Sequence, residues 1–288
     1  MPTVTLHTGH CLAYLREMKT GSVDAIITDP PYPGIKRSYG QWTEEEWHGL
    51  MDKVVRQCRR ILKPTGSAVF VLQPNQERLG RTRPWLWEFM AKWSRDWNMV
   101  QDVWWWNYAA MPCSTSIQGG MTRPSLKACV WLGDPDCYKD QSRVLWTESE
   151  RNIAVRTGKR CSGKTTRHAS GHQSNEKRMT NCAVSVGGVS PFNVLPISNT
   201  DSTNSSGSKG HGAGTPVNLC DWWIRFICPP KGVVLDPFSG AGSVGAAAIR
   251  NGCSYVGIEK LEPYTEIAKE RLAVELKKQE RRRDKFLS

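Results

Sequence analysis

Four consecutive residues, Asp29-Pro30-Pro31-Tyr32, carry the groups needed to transfer a substituent to a planar amine. The amino nitrogen on a nucleobase is a poor nucleophile because its lone pair is delocalised into the ring. Reaction there requires acceptors for its N–H groups, a flat wall for the base, and an electrophile in line. Asp29 offers a carboxylate acceptor, and the Pro30 carbonyl a second one on a backbone held by proline. Tyr32 offers an aromatic face, and stacking of an extruded base on such a face is worth roughly 1–3 kcal/mol. No covalent enzyme intermediate is needed, so positioning and local electrostatics carry the rate. A target inside a duplex has to be flipped out to reach such a turn. Taken alone, Asp29 also reads as an ordinary turn residue, because Asp-Pro is a common turn.

A second group follows some 200 residues later, Asp236-Pro237-Phe238-Ser239-Gly240-Ala241-Gly242-Ser243. Gly240-Ala241-Gly242-Ser243-Val244-Gly245 matches GxGxxG, and Glu259 lies near the distance of a ribose-binding acid. Glycines let the backbone turn sharply and approach a cofactor, and a carboxylate ending the next strand accepts from ribose hydroxyls. Any adenosine-bearing cofactor fits that description. Position argues against a dinucleotide: only 48 residues follow Gly240, with room for one clear strand. The sheet must therefore be completed by N-terminal strands, which places Asp29 in the same domain. The sulfonium of S-adenosylmethionine is an adenosine-bearing electrophile of the kind the first turn requires.

The elements that hold both turns follow from hydrophobic spacing. Residues 22–28 form a short β-rich run that stops at the two prolines. Thr43 opens a capping box with Glu46, and Trp47, Leu50, Met51, Val54, Val55, Cys58, Ile61 and Leu62 follow at helical spacing. Lys63-Pro64-Thr65-Gly66 breaks that helix, and 67–72 reads as a second buried strand. A helix over 86–97 and a strand over 100–106 come next, the run Trp104-Trp105-Trp106 reading as core and sheet-edge packing. Downstream the pattern predicts a helix over 219–227, a strand over 232–236, a small-residue helix over 243–250, a strand over 254–259 and a last helix over 264–278. Such alternation predicts a parallel α/β sheet, in which sites gather beyond the carboxyl ends of strands.

The middle of the chain differs. Between 151 and 178 stand Arg151, Arg156, Lys159, Arg160, Lys164, Arg167, Lys177 and Arg178 against one acid, Glu176. Residues 181–214 are rich in Ser, Asn, Gly and Thr and show little periodicity, so they build no core of their own. A formal net charge of +12 attracts polyanions, and Arg156, Lys159, Arg160, Lys164 and Arg167 are the candidates for contacting DNA. The ten cysteines include no CxxC pair and read as reduced, mostly buried thiols. No metal site is expected, and His168, His172 and His211 read as loop residues. No apolar run approaches the ~20 residues of a membrane span. With no secretory pattern at the N-terminus, a cytoplasmic protein of a bacterial or phage-infected cell is expected.

In order and spacing, these motifs resemble the β group of amino-methylating DNA methyltransferases. A lone DPPY turn says little; DPPY, then a basic insert, then the Phe238 to Gly242 loop and the Glu259 strand is specific. The resemblance extends to Leu62-Lys63-Pro64-Thr65-Gly66, to 211–219 and to Gly257-Ile258-Glu259-Lys260. It implies a Rossmann-like α/β fold with a mostly parallel seven-stranded sheet, helices on both faces and a target-recognition insert. Residues 1–110 and 211–288 would form the catalytic domain and 111–210 the insert, which is partly mobile. The resemblance further implies S-adenosylmethionine as cofactor, contacted by Phe238, Gly240 and Gly242, with Asp236 and Ser243 near its methionine end and Glu259 on the ribose. Thr215 and Ser239 join that pocket. Gly9-His10 stands where the family usually has glycine followed by an acid; either His10 replaces that contact or the contact is absent. Asp29, Pro30, Pro31 and Tyr32 would be catalytic. The aspartate leans toward adenine N6, with cytosine N4 as the alternative. RNA, a protein glutamine, or a non-catalytic nucleic-acid-binding subunit are further alternatives. The implied partner is double-stranded DNA, no membrane is involved, and a homodimer is left open.

Overall fold

The structure is a computed structural model and describes residues 2–36, 40–110, 119–146, 188–199 and 214–287, with side chains to 282. Arg156, Lys159, Arg160, Lys164 and Arg167, expected at a DNA interface, lie outside the described residues, as do the three loop histidines.

The N-terminal half runs β1 (Val4–Thr8), α1 (Cys11–Glu17), β2 (Val23–Thr28), α2 (Glu44–Ile61) and β3 (Leu62–Leu72). A small hairpin, β4 (Gln76–Arg78) and β5 (Arg81–Thr82), leads to α3 (Trp85–Asp96), β6 (Met99–Trp106) and β7 (Leu126–Gly133). After β8 (Val194–Pro196) come α4 (Val217–Ile227), β9 (Val233–Asp236), α5 (Ser243–Arg250), β10 (Ser254–Glu259) and α6 (Glu262–Leu287). The expected α/β alternation is present; most ends agree within two residues, while β3 starts five residues earlier than expected and α6 runs nine residues past 278.

Local chemistry accounts for the boundaries. Thr43 Oγ1 accepts from the Glu46 N–H at 3.1 Å and Glu46 Oε2 accepts from the Thr43 N–H at 2.9 Å, so the capping box forms on both sides. The helix ends at Ile61 and the chain enters β3 at once, since Leu62 already pairs with Val23. Lys63 to Gly66, expected as a plain break, lies inside that strand as an irregularity in register. Lys63 Nζ reaches both Asp24 oxygens at 2.9 Å, which anchors the irregularity to β2.

The main sheet has eight strands in the order β1-β10-β9-β2-β3-β7-β6-β8. Only β7 runs against its neighbours; the other pairings are parallel. The sheet is thus mostly parallel, as expected, but with eight strands rather than seven. The extra strand is β8, three residues that join the edge beside β6 and are too short to leave a periodic signal. Two strands, β7 and β8, fall within 111–210, the span that the resemblance assigns to the insert. Its apolar part, including Cys129, Val130 and Trp131, is sheet core.

Each sheet face carries its own core. On β2, Ala25 and Ile27 pack with α4 and α5, while Val23 and Ile26 pack with α1 and α2. Such strands, buried on both faces, are what a parallel interior demands. Trp105 is buried and its indole donates to the Ile197 carbonyl at 2.7 Å, the expected packing role for that tryptophan run.

Candidate active site

The strands β1, β2, β3, β9 and β10 all point their carboxyl ends to one edge of the sheet. Asp29 follows β2 directly. One of its oxygens accepts from the Tyr32 hydroxyl. The other accepts from Thr215 Oγ1 at 2.7 Å and lies 3.3 Å from Lys127 Nζ. Lys127 Nζ also donates to the Tyr32 oxygen at 3.2 Å and lies 5.1 Å from the Trp105 ring centroid. The backbone of the turn is held equally closely. The Trp47 indole donates to the Pro31 carbonyl at 2.6 Å, and the Asn75 amide donates to the Pro33 carbonyl at 2.7 Å. Trp85 donates to Asn75 Oδ1 at 3.1 Å and stacks on Tyr32 with centroids 6.1 Å apart. A carboxylate and a ring are thereby presented in fixed relation at the cleft wall.

The glycine loop is built by Glu259 and two left-handed glycines. Glu259 Oε2 accepts from the Gly240 N–H at 2.8 Å and Oε1 from the Leu261 N–H at 2.9 Å, which fixes the carboxylate between two strand ends. Each oxygen keeps a further lone pair for a hydroxyl ligand. Gly240 and Gly242 have φ of 49° and 77°, conformations that side-chain-bearing residues rarely adopt. Gly242 precedes α5, and a Cβ there would lie 3.1 Å from the Ala268 Cβ of α6. Asp236 is buried; its Oδ1 accepts from Thr28 Oγ1 at 2.6 Å and the Phe238 N–H at 3.1 Å. Burial nevertheless pushes its carboxyl up to about 7, against the lowering effect of those two donors. Arg271 of α6 donates to the Ala241 carbonyl at 3.2 Å and Ser243 Oγ at 3.1 Å, bringing a cation to the first turn of α5. Helix start and guanidinium together favour an anionic group there.

The two halves share one cavity of about 630 Å³. Asp29, Pro30, Pro31 and Tyr32 line it together with Gly9, His10, Thr215, Asp236, Phe238, Ser239, Gly240, Ser243 and Glu259. Gly242 is outside the lining, and its position against α6 gives it a packing reason instead. His10 is the N-cap of α1 and its Nδ1 accepts from the Leu12 N–H at 3.3 Å. A neutral ring bonded in that way carries its proton on the other nitrogen and offers a donor, where an acid would offer an acceptor.

Lys127, Asn75, Tyr264 and Arg271 also line the cavity, and sequence reading did not single them out. A lysine opening an apolar strand was the one visible signal for Lys127. Nothing in sequence ties it to Asp29, 98 residues away. Arg271 reads as one more charge on a solvated helix until α6 is laid against α5.

The cavity suits S-adenosylmethionine: a fixed acid for ribose hydroxyls, close-approach glycines, and opposite charges in Asp236 and Arg271 for an amino-acid end. Among the described residues no group of His, Cys, Asp and Glu is arranged to hold a metal, and no helix is long and apolar enough to cross a membrane. The seven described cysteines are free and buried.

Comparison with known proteins gives the same picture. The chain is 26% identical to the type II methyltransferase M.HinfI of Haemophilus influenzae over 93% of its length and 68% of that protein. It is 24% identical to the DNA adenine methyltransferase YhdJ of Escherichia coli over 94% of its length and 83% of that protein. Among solved structures, the cytosine-N4-specific PvuII DNA methyltransferase superposes with a TM-score of 0.70 at 18% identity, covering 94% of this chain and 88% of that one. The complex of M1.HpyAVI with S-adenosylmethionine superposes with a TM-score of 0.56 at 17% identity, covering 93% and 98%. The profile of a family described as DNA methylase matches residues 23–270. The chain therefore belongs to the N6/N4 DNA methylase family, whose members are S-adenosylmethionine-dependent methyltransferases.

Proposed function

We propose that the cleft methylates the exocyclic amino group of a base flipped out of double-stranded DNA, adenine N6 in preference to cytosine N4. The observation that carries this reading is the Asp29 carboxylate, fixed by Tyr32 and Thr215 on the wall of a cavity whose other end holds Glu259. Bound S-adenosylmethionine supplies an electrophilic methyl on its sulfonium. Glu259 would accept from the ribose hydroxyls, and Asp236 and Arg271 would hold the methionine amine and carboxylate. The base stacks on Tyr32, and its amino group donates to Asp29 and the Pro30 carbonyl. Those acceptors would favour a more tetrahedral nitrogen whose lone pair forms the new N–C bond, while the electrons of the broken S–C bond would stay on sulfur, leaving a neutral thioether. As the nitrogen becomes cationic, the adjacent carboxylate stabilises it and takes the proton it must lose. Thr215 and Tyr32 keep Asp29 in place during this exchange.

The similar proteins include both an adenine and a cytosine-N4 enzyme, so likeness alone leaves the base open. Aspartate at the head of DPPY supports adenine. Target reading is assigned to those parts of 111–210 that the sheet does not use, with Arg156, Lys159, Arg160, Lys164 and Arg167 on phosphates. The test is incubation of the protein with unmethylated duplex DNA and S-adenosylmethionine, followed by nucleoside mass spectrometry. N6-methyladenine is expected. N4-methylcytosine would overturn the choice of base, and no methylated nucleoside would overturn the reading.

A further inference from the structure

Lys127 is present in excess of what holding Asp29 requires. The hydroxyls of Tyr32 and Thr215 already supply one donor to each carboxylate oxygen. Removing an ammonium and a carboxylate from water is costly, and their attraction repays it only with good geometry. Here the side chains are only 17% and 19% exposed, at a separation of 3.3 Å. The topology brings the lysine to this place. Because β7 is antiparallel to β3, its first residues lie at the edge where β3 ends, with Ala128 opposite Leu72. Lys127 stands one residue nearer the cleft and lines it.

A base that can be methylated on its amino group carries a ring nitrogen beside that group, N1 in adenine and N3 in cytosine. Its edge is therefore a donor next to an acceptor. Asp29 and Lys127 form the complement, an acceptor next to a donor 3.3 Å apart. Thymine and guanine present a carbonyl beside a ring N–H on the same edge, which would face carboxylate with oxygen and ammonium with N–H. We propose that Lys127 donates to the ring nitrogen next to the target amino group, so that Asp29 and Lys127 together select the base. This rests on the amino-methylation reading above. Leaving a buried polar group without its partner is what gives such sites their discrimination.

The experiment compares duplexes carrying adenine or 1-deazaadenine, which has C–H in place of N1, at the target position. Wild-type kcat/KM is expected to fall about 10–100-fold with 1-deazaadenine. The Lys127→Met variant is expected to be slower on adenine and at least about tenfold less sensitive to the deaza substitution, since the partner atom is already gone. Retained S-adenosylmethionine binding by the variant shows that it folds; Lys127→Leu, which likewise carries no donor, serves if the Met variant does not. If both enzymes show the same adenine-to-deazaadenine ratio, Lys127 only positions Asp29 and the proposal fails. A wild-type ratio near one overturns it without any variant. If the wild type acts on cytosine, the pair is cytosine and 3-deazacytosine. A wild type that methylates no base amino group overturns the amino-methylation reading and this proposal with it.

Discussion

Asp29 accepts from Tyr32 and Thr215 and has Lys127 beside it, so its removal leaves the wall of the cleft but takes the acceptor away. Asp29→Ala is expected to bind S-adenosylmethionine with near-normal affinity and to lose about 10²–10³-fold or more in kcat, by analogy with deleting other preorganised electrostatic groups. Equilibrium dialysis and single-turnover transfer measure the two halves of that statement. Asp236 gives a pH dependence whose sign follows from burial. Its carboxyl rises from the ordinary 3.8 to about 7 in the folded chain, so between those values the folded state holds the proton more firmly than the unfolded state. The contribution is full below about pH 4 and is lost as pH rises through about 7. The melting-temperature difference between wild type and Asp236→Asn, without ligand, should shift in favour of the variant from pH 5 to pH 8. A pH-independent difference would show that Asp236 titrates normally.

At the scale of elements, the glycines of the loop and of α5 do different things. A Cβ on Gly245 would lie 2.6 Å from Cε1 of the buried Tyr255 ring, and 2.9 Å from Leu272 Cδ2. Gly245→Ala is therefore expected to destabilise by about 1–3 kcal/mol through overpacking of α5 against β10 and α6. Thermal or urea unfolding without cofactor measures that loss, and it should be equally present with Asp29→Ala as the background. The capping box of α2 makes a smaller claim. Thr43→Ala should cost about 1 kcal/mol and leave kcat unchanged, because the α2 residues that meet the site, Trp47 with its indole on Pro31 and Leu50 in the cavity lining, lie beyond the cap.

For the molecule as a whole, the net charge of +12 and the basic cluster between 151 and 178 are proposed to attract DNA. Each phosphate neutralised contributes a slope of about −0.9 to log affinity against log salt. Replacing Arg156, Lys159, Arg160, Lys164 and Arg167 together by glutamine is expected to weaken DNA binding at low salt and flatten that slope by up to about 4.5, with S-adenosylmethionine affinity unchanged. A slope equal to wild type would move the DNA interface elsewhere on the chain.

Sequence by itself determined the local elements and the chemistry of the two turns. Prolines after 22–28 stopped β2 at Asp29; Thr43 and Glu46 started α2; and the glycines with Glu259 marked a site for an adenosine-bearing cofactor. These are short-range constraints, written in residues a few positions apart. Tertiary structure alone decided what was non-local. The antiparallel entry of β7 carries Lys127 to Asp29 across 98 residues, and α6 brings Arg271 to the start of α5. It also drew β7 and β8 into the sheet from within the span that the resemblance assigns to the insert. Strand order and direction are set by which faces can be buried together, and that depends on partners far apart in the chain.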